Sequence, residues 1–223
     1  DDKISDKEDL VAQEKAVSDS KQNTLTASYA KQFLTEYLLL KQQKGELTEG
    51  DKKSLVDKVM NNIKPLTATD KYTISDLKIS DDTGKEAVKK YAEWMKSIFV
   101  DSKNTLPNES KIFNILLKNI EEENIKNTEL SIKVLNDYAI LNEKLVEIML
   151  SPAIPENLSK NHLEVVNGFN NIILAIENMT IAQTDPVKAM MGQKLYDEQM
   201  QRIYSALKNI QEIFNEYEIT VFK

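Results

Sequence analysis

The chain has 223 residues, of which 41% are apolar and 29% are charged, and its net charge is −7. This length is enough to bury a core without metals or disulfides, and the absence of cysteine excludes disulfides, thiolate metal sites and cysteine nucleophiles. Lysine alternates with aspartate and glutamate along the whole chain, so the sequence has no basic face of the kind that binds nucleic acid.

The first segment, residues 1–25, consists mainly of charged and small polar residues with scattered large apolar residues such as Leu10, Val11 and Val17. So little apolar surface does not repay the entropy lost on ordering. The composition therefore predicts a flexible polar tether. The alternative is a charged helix that docks on the rest of the protein.

Two amphipathic helices are predicted next, over residues 26–44 and 48–63. The first repeats apolar side chains at helical spacing, namely Tyr29, Phe33, Leu34, Tyr37, Leu38 and Leu40. Gly45 and Pro65 follow the two helices and are typical stop signals. Since the link between them is short, we expect an antiparallel hairpin.

Residues 66–82 lose the helical pattern and are rich in Thr, Ser and Asp. Their apolar residues alternate, but the alternation slips between Ile74 and Leu77, which a regular strand does not allow. We expect one short extended segment near residues 70–80 that forms an ordered connection over the helices.

The next helix begins at a cap formed by Asp82 or Thr83 and runs to about Asp101. Residues 108–150 contain neither glycine nor proline after Pro107, and this predicts one long helix. Two helices joined near Asn127 are the alternative, because the segment 121–129 retains only one large apolar residue.

The prolines in Ser151–Pro155 must interrupt any helix and reverse the chain. A helix is then predicted to about Gln183, and Asp185 followed by Pro186 predicts an N-cap and the start of a last helix that runs to about Glu216. The apolar residues Ile219, Val221 and Phe222 after it are expected to dock as an extended tail.

Long amphipathic segments with short links predict an all-α fold, a multi-helix up-down bundle of six to seven helices with long C-terminal helices. We expect residues 26–223 to form a single domain. Within it, an N-terminal helical subdomain over residues 26–105 would pack on a long-helix bundle over residues 108–218.

No catalytic, cofactor-binding or metal-binding motif occurs in the sequence. The candidate ligand or partner contacts are the single histidine and a few large side chains, namely Trp94, His162, Met190, Met191 and Tyr196. A buried structural role is the alternative for each of them. Gly192, which follows the two methionines, and Gly168 lie inside predicted helices and indicate a close approach between helices.

Several stretches resemble a family of uncharacterised, membrane-anchored helical proteins of candidate-phyla, ultra-small bacteria. They are the hinge Ser151–Pro155, the run from Asn157 to Leu163 with Asn167, the helix start Asp185–Ala189 followed by Tyr196, and Phe33 to Met60 including Lys44–Thr48. The resemblance implies an anchor upstream of residue 1, a polar linker and a helical domain outside the cytoplasm. It implies no activity and no functional residue.

These observations lead to a first hypothesis, a non-enzymatic scaffold or interaction domain that is tethered at the cell envelope, uses no cofactor and binds a protein partner. The alternative is a sensor-type bundle that binds a small molecule near Trp94 or between the last two helices. An enzyme that uses carboxylates has the least support. A cytoplasmic location is the alternative to the extracytoplasmic one.

Overall fold

The structure, a computed structural model, describes residues 24–99 and 109–220. Within these ranges it contains a 3-10 turn over Ile74–Asp76, two short strands and seven helices. The helices are α1 (Leu25–Lys44), α2 (Glu49–Asn61), α3 (Lys85–Phe99), α4 (Glu109–Glu121), α5 (Ile125–Met149), α6 (Glu156–Thr180) and α7 (Pro186–Glu216). The predicted all-α class, the number of helices and the short extended segment are thereby confirmed.

None of these seven helices is both long enough and apolar enough to cross a membrane. The described chain divides into two compact units. The first comprises residues 24–65 and 181–190, and the second comprises residues 66–99, 109–180 and 191–220. The helix α7 therefore begins in the first unit and continues in the second. The expected tether, residues 1–23 of it, and the tail residues Val221 and Phe222 lie outside the described residues.

In the first unit, Asp185 ties the start of α1 to the start of α7. Its carboxylate accepts hydrogen bonds from the backbone N–H groups of Leu25 and Thr26 at 2.8 and 3.0 Å and from the Thr26 hydroxyl at 2.6 Å. It also caps α7 through the N–H of Lys188 at 3.2 Å, as the Asp-Pro pair predicts. Burial opposes the charge of Asp185, but these hydrogen bonds outweigh it and hold the pKa of Asp185 below its usual value.

The α1–α2 hairpin has the termini that its sequence predicts. Gly45 ends α1 with a φ of 79°, a backbone conformation that residues other than glycine rarely adopt. Its N–H donates a hydrogen bond to the Lys41 carbonyl at 2.8 Å. Thr48 and Asp51 then exchange side-chain to backbone hydrogen bonds that cap α2. Local sequence therefore accounts for this turn.

The core of the second unit forms around α6, which is buried along most of its circumference. Its fully buried apolar residues include Leu158, Val165, Val166, Ala175, Ile176 and Met179. The preceding helix α5 packs on it through a face of mixed character, made of Thr128, Ser131, Leu135, Ala139, Asn142, Val146 and Met149. Two polar members of this face are hydrogen-bonded, since Ser131 bonds to Asn119 of α4 and Asn142 bonds to the Tyr138 carbonyl.

The expected single helix over residues 108–150 is wrong, and the two-helix alternative is right. The break falls at residues 122–124, slightly before the expected Asn127. Glu123 has a positive φ of 54°, and Asn124 caps α5 by accepting from the N–H of Asn127 at 3.2 Å. The positive-φ Glu123 thus follows the end of one helix, and an asparagine cap starts the next, without glycine or proline.

Residues 66–82 form the ordered connection that their pattern predicts. The side chain of Asn167 bonds to both the N–H and the carbonyl of Tyr72, at 3.0 and 2.9 Å. The guanidinium of Arg202 holds the same segment through a bidentate ion pair with the Asp70 carboxylate, with N to O distances of 2.6 and 2.8 Å. It also donates a hydrogen bond to Glu164. The 3-10 turn at Ile74 explains the slip in the alternating pattern.

The connection ends in strand β1 (Lys78–Ser80), which pairs in parallel with β2 (Ala153–Pro155) of the proline hinge. Ile154 at the centre of β2 is fully buried. The hinge is therefore held by a strand that lies 75 residues earlier in the chain, and the short ribbon positions the start of α6.

Candidate functional site

The only histidine of the chain lies in the core of the second unit. His162 is 0% exposed, and its ring is 5.7 Å from the ring of Tyr91 and 5.9 Å from the ring of Trp94. Of the five candidate residues, the structure thus brings Trp94 and His162 together. These rings fill the space between α3 and α6, so the contact is a packed aromatic cluster.

The hydrogen bonds of His162 define its protonation state. The Nε2 atom lies 2.8 Å from the Met149 carbonyl, which only accepts, so Nε2 carries the hydrogen. The Nδ1 atom lies 2.8 Å from the Tyr91 hydroxyl and accepts a hydrogen bond from it. Burial, partly offset by the Met149 carbonyl, lowers the pKa of His162 to about 4. The side chain is therefore a neutral link between α3, α5 and α6.

The other three candidate residues lie apart from this cluster. Tyr196 is buried and donates a 2.8 Å hydrogen bond to Glu109, and its pKa is raised by burial and by the Glu109 charge. Met191 is half-buried in the second unit, whereas Met190 belongs to the first unit and is 54% exposed. The five residues do not converge on one site.

The two helix glycines mark the close helix approach that they predict. A Cβ atom on Gly192 would lie 2.7 Å from the carbonyl oxygen of Ala175 and 3.0 Å from the N atom of Met179. A Cβ atom on Gly168 would lie 2.5 Å from a side-chain carbon of Ile203. The contact between α6 and α7 is therefore close-packed at both glycines.

A surface recess of about 360 Å³ lies elsewhere in the second unit. Apolar and polar side chains line it, namely Lys71, Tyr72, Glu143, Val146, Glu147, Asn170, Ile173, Leu174 and Glu177. None of the five candidate residues is among them. In the described part of the chain, no three His, Cys, Asp or Glu residues are grouped so that they could hold a metal ion.

The helix α5 turns a second apolar face away from the core. This face, called the α5 stripe below, consists of Leu130, Val134, Tyr138, Leu141, Leu145 and Ile148. Leu130, Leu141 and Ile148 are 57%, 54% and 49% exposed, and the other three are half-buried. Single exposed apolar residues are ordinary on protein surfaces, whereas a row of them along one helix is a candidate interaction surface.

The α5 stripe was not identified as a surface from the sequence, although its signal is present there. The helix carries two apolar rows, the stripe and the row Leu135, Ala139, Val146 and Met149, about 100° apart around the axis. The second row has the smaller side chains and the polar Ser131 and Asn142, and yet it is buried. One apolar row is enough to pack a helix on the core, so the second apolar row of α5 is left for another contact.

Comparison of the chain with models of protein families, with curated proteins and with solved structures finds no match.

Proposed function

We propose that this protein is a non-enzymatic interaction domain that binds a protein partner through the α5 stripe. The observation that carries the proposal is the exposure of Leu130, Leu141 and Ile148 on a helix whose other face already packs in the core. Covering these side chains removes apolar surface from water, which stabilises a complex by about 25 cal/mol per Å² of apolar area buried. The described residues therefore favour binding of a protein partner that buries the α5 stripe.

The spacing within the α5 stripe favours a helix as the binding element of the partner. Val134, Leu141 and Ile148 recur every seven residues, and Tyr138 and Leu145 fill the alternate positions. This is the spacing with which two helices pack side by side in a coiled coil. The partner is therefore expected to present an amphipathic helix with a matching apolar row.

The sensor alternative has less support. It requires a pocket near Trp94 or between the last two helices, but Trp94 packs against Tyr91 and His162, and the glycines hold α6 and α7 close together. The recess beside Tyr72 offers a small ligand a volume of about 360 Å³, but it lies apart from both of these places. The apolar and exposed α5 stripe is the feature better suited to a macromolecular partner.

We also propose an extracytoplasmic location, with residues 1–25 as the tether to an upstream anchor. Its support is the resemblance carried by Ser151–Pro155 and Asp185–Ala189, together with the polar composition of the tether. A membrane-impermeant maleimide that labels an Ile140→Cys variant in intact cells would agree with this location. Labelling that requires lysis would contradict it.

Photo-crosslinking in the producing cells tests the interaction. A benzophenone amino acid placed at Leu141 is expected to form a covalent adduct with the partner, since the side chain lies in the α5 stripe. Ile140 is the matched control, because it is 48% exposed on the same helix but points about 100° away. The adduct yield at position 141 should exceed that at position 140 about fivefold or more, as expected for a residue at an interface centre.

Mass spectrometry of the adduct then identifies the partner. An adduct at position 141 with one defined protein would support the proposal. Equal yields at positions 140 and 141, or no adduct at either, would contradict it.

A further inference from the structure

We infer that the partner helix on the α5 stripe is the α5 helix of a second copy of this chain, packed antiparallel to the first. The inference rests on the proposed function and names its partner. It is carried by the order of apolar and charged residues along α5, which is complementary to itself when one copy is reversed.

The apolar residues match in the reversed arrangement. A two-fold axis placed between residues 139 and 140 sets Tyr138 beside Leu141 of the second copy and Val134 beside Leu145 of the second copy. In an antiparallel coiled coil, each core layer pairs an a-position residue of one helix with a d-position residue of the other, as these pairs do. The four central residues of the stripe therefore form four layers with a large side chain on both sides, whereas Leu130 and Ile148 lie at the two ends, level with the buried Met149 and Ser131 of the second copy.

The charges along the outer edge of the stripe match in the same register. Asp137 and Lys144 each precede a stripe residue, Tyr138 or Leu145, and are exposed. Asp137 also forms an exposed ion pair with Lys133 of its own helix at 2.9 Å. Reversal about the same axis sets Asp137 level with Asn142 of the second copy, two residues or about 3 Å along the axis from Lys144 of that copy. Helical side chains lean towards the N-terminus of their own helix, so Asp137 and Lys144 of the second copy lean towards each other, and the symmetry repeats this pair. Flanking ion pairs of this kind set helix orientation more than they set affinity.

A parallel pair lacks this complementarity. In a parallel pair the edge that carries Asp137 and Lys144 would face Asn142 and Met149 of the second copy, and both of these residues are buried within their own chain. The antiparallel arrangement leaves this buried edge on the side of each chain's own core. The charges thus favour only the antiparallel orientation.

The position of α4 also agrees with this arrangement. Asn119 near its end bonds to Ser131, while Glu109 at its start lies close enough to Tyr138 that burial and then the Glu109 charge raise the pKa of Tyr138. Hence α4 runs beside the first half of α5, and its described residues do not reach the half with Leu145 and Ile148. Reversal places that second half of one copy beside the first half of the other.

Self-association should be moderate in strength. The helix α5 has 25 residues and is about 37 Å long, so one helix pair buries less than the roughly 800 Å² per partner of a standard interface. We expect a dissociation constant in the range of about 1 to 100 μM. Dimerisation must therefore be measured over a wide concentration range.

Sedimentation equilibrium of the purified chain from about 1 to 300 μM is the test, since this range brackets the expected constant. The unmodified chain should change from monomer to dimer, and Leu141→Asp should raise the dissociation constant about tenfold or more, because a carboxylate would then enter an apolar layer. Ile140→Asp, on the same helix and equally exposed, should leave the constant within about twofold of the unmodified value.

Charge reversal tests the orientation. Asp137→Lys and Lys144→Asp should each weaken the homodimer, because like charges then face each other twice. An equimolar mixture of the two variants should form a heterodimer as strong as the original dimer, since opposite charges again face each other. Circular dichroism of each variant shows whether it is folded.

A chain that stays monomeric at every concentration, or variants whose mixture associates no better than each one alone, would overturn the antiparallel self-association. The proposed function would then still stand if the adduct at position 141 contained another protein. It would fail separately if position 141 formed no adduct at all.

Discussion

Lowering the pH from 7 to 4.5 is expected to reduce the free energy of unfolding by about 2 to 3 kcal/mol through His162 alone. The folded pKa of this imidazole is about 4, below the usual 6.5, so the unfolded chain binds a proton that the folded chain excludes. Stability is therefore fully present above pH 6.5 and is lost as the pH falls towards 4. Urea unfolding at a series of pH values measures this loss.

The pH window separates His162 from the carboxylates. Asp70 and Asp185 have pKa values lowered from 3.8, so the stability that they contribute is lost mainly at more acidic pH. A His162→Gln variant should be less stable at pH 7 and should lose much less between pH 7 and 4.5. Because the chain has one histidine, its NMR titration is also unambiguous. An imidazole that titrates near 6.5 in the folded protein would contradict its burial as a neutral group.

Gly192→Ala is expected to lower the free energy of unfolding by about 2 kcal/mol, although alanine favours a helix by about 1 kcal/mol. The added methyl group would lie 2.7 Å from the Ala175 carbonyl oxygen and 2.9 Å from the Asn178 Cβ atom. Two of its three nearest atoms belong to the backbone of α6, so α6 and α7 must separate to admit it. Thermal unfolding should show a midpoint lower by about 4 to 8 °C, as expected for a chain of this size.

Gly168→Ala is the matched control on the same pair of helices. Its added methyl group meets the side chain of Ile203, which can change rotamer, and the nearest backbone atom is the Gln199 carbonyl oxygen at 3.7 Å. This variant should therefore cost less than Gly192→Ala. If Gly192→Ala were as stable as the unmodified chain, the close approach at Gly192 would be refuted.

Local features of this fold are predictable from sequence because their causes are local. Asp185 and Pro186 define the start of α7, and Gly45 defines the end of α1, through groups within a few residues of each terminus. The break at residues 122–124 was placed less well. Its cap is an asparagine in an asparagine-rich chain, and such a residue is a weak signal on its own.

Features that depend on distant neighbours are not predictable in this way. The pairing of β1 with β2 joins residues 75 positions apart, and the contact between Trp94 and His162 joins residues 68 positions apart. The choice of the buried face of α5 is of the same kind. Ser131 and Ala139 allow α5 to pack closely on α4 and α6, and this long-range fit outweighs the greater hydrophobicity of the α5 stripe.

Cysteine labelling in cells is the most direct test of the claim that the α5 stripe is covered by a protein partner. The chain has no cysteine of its own, so Leu141→Cys and Ile140→Cys each provide a single thiol at similar exposure. In dilute purified protein, a membrane-permeable maleimide should label both variants at similar rates. In the producing cells, position 141 should be protected while position 140 still reacts. Equal labelling of the two positions in cells would contradict the claim.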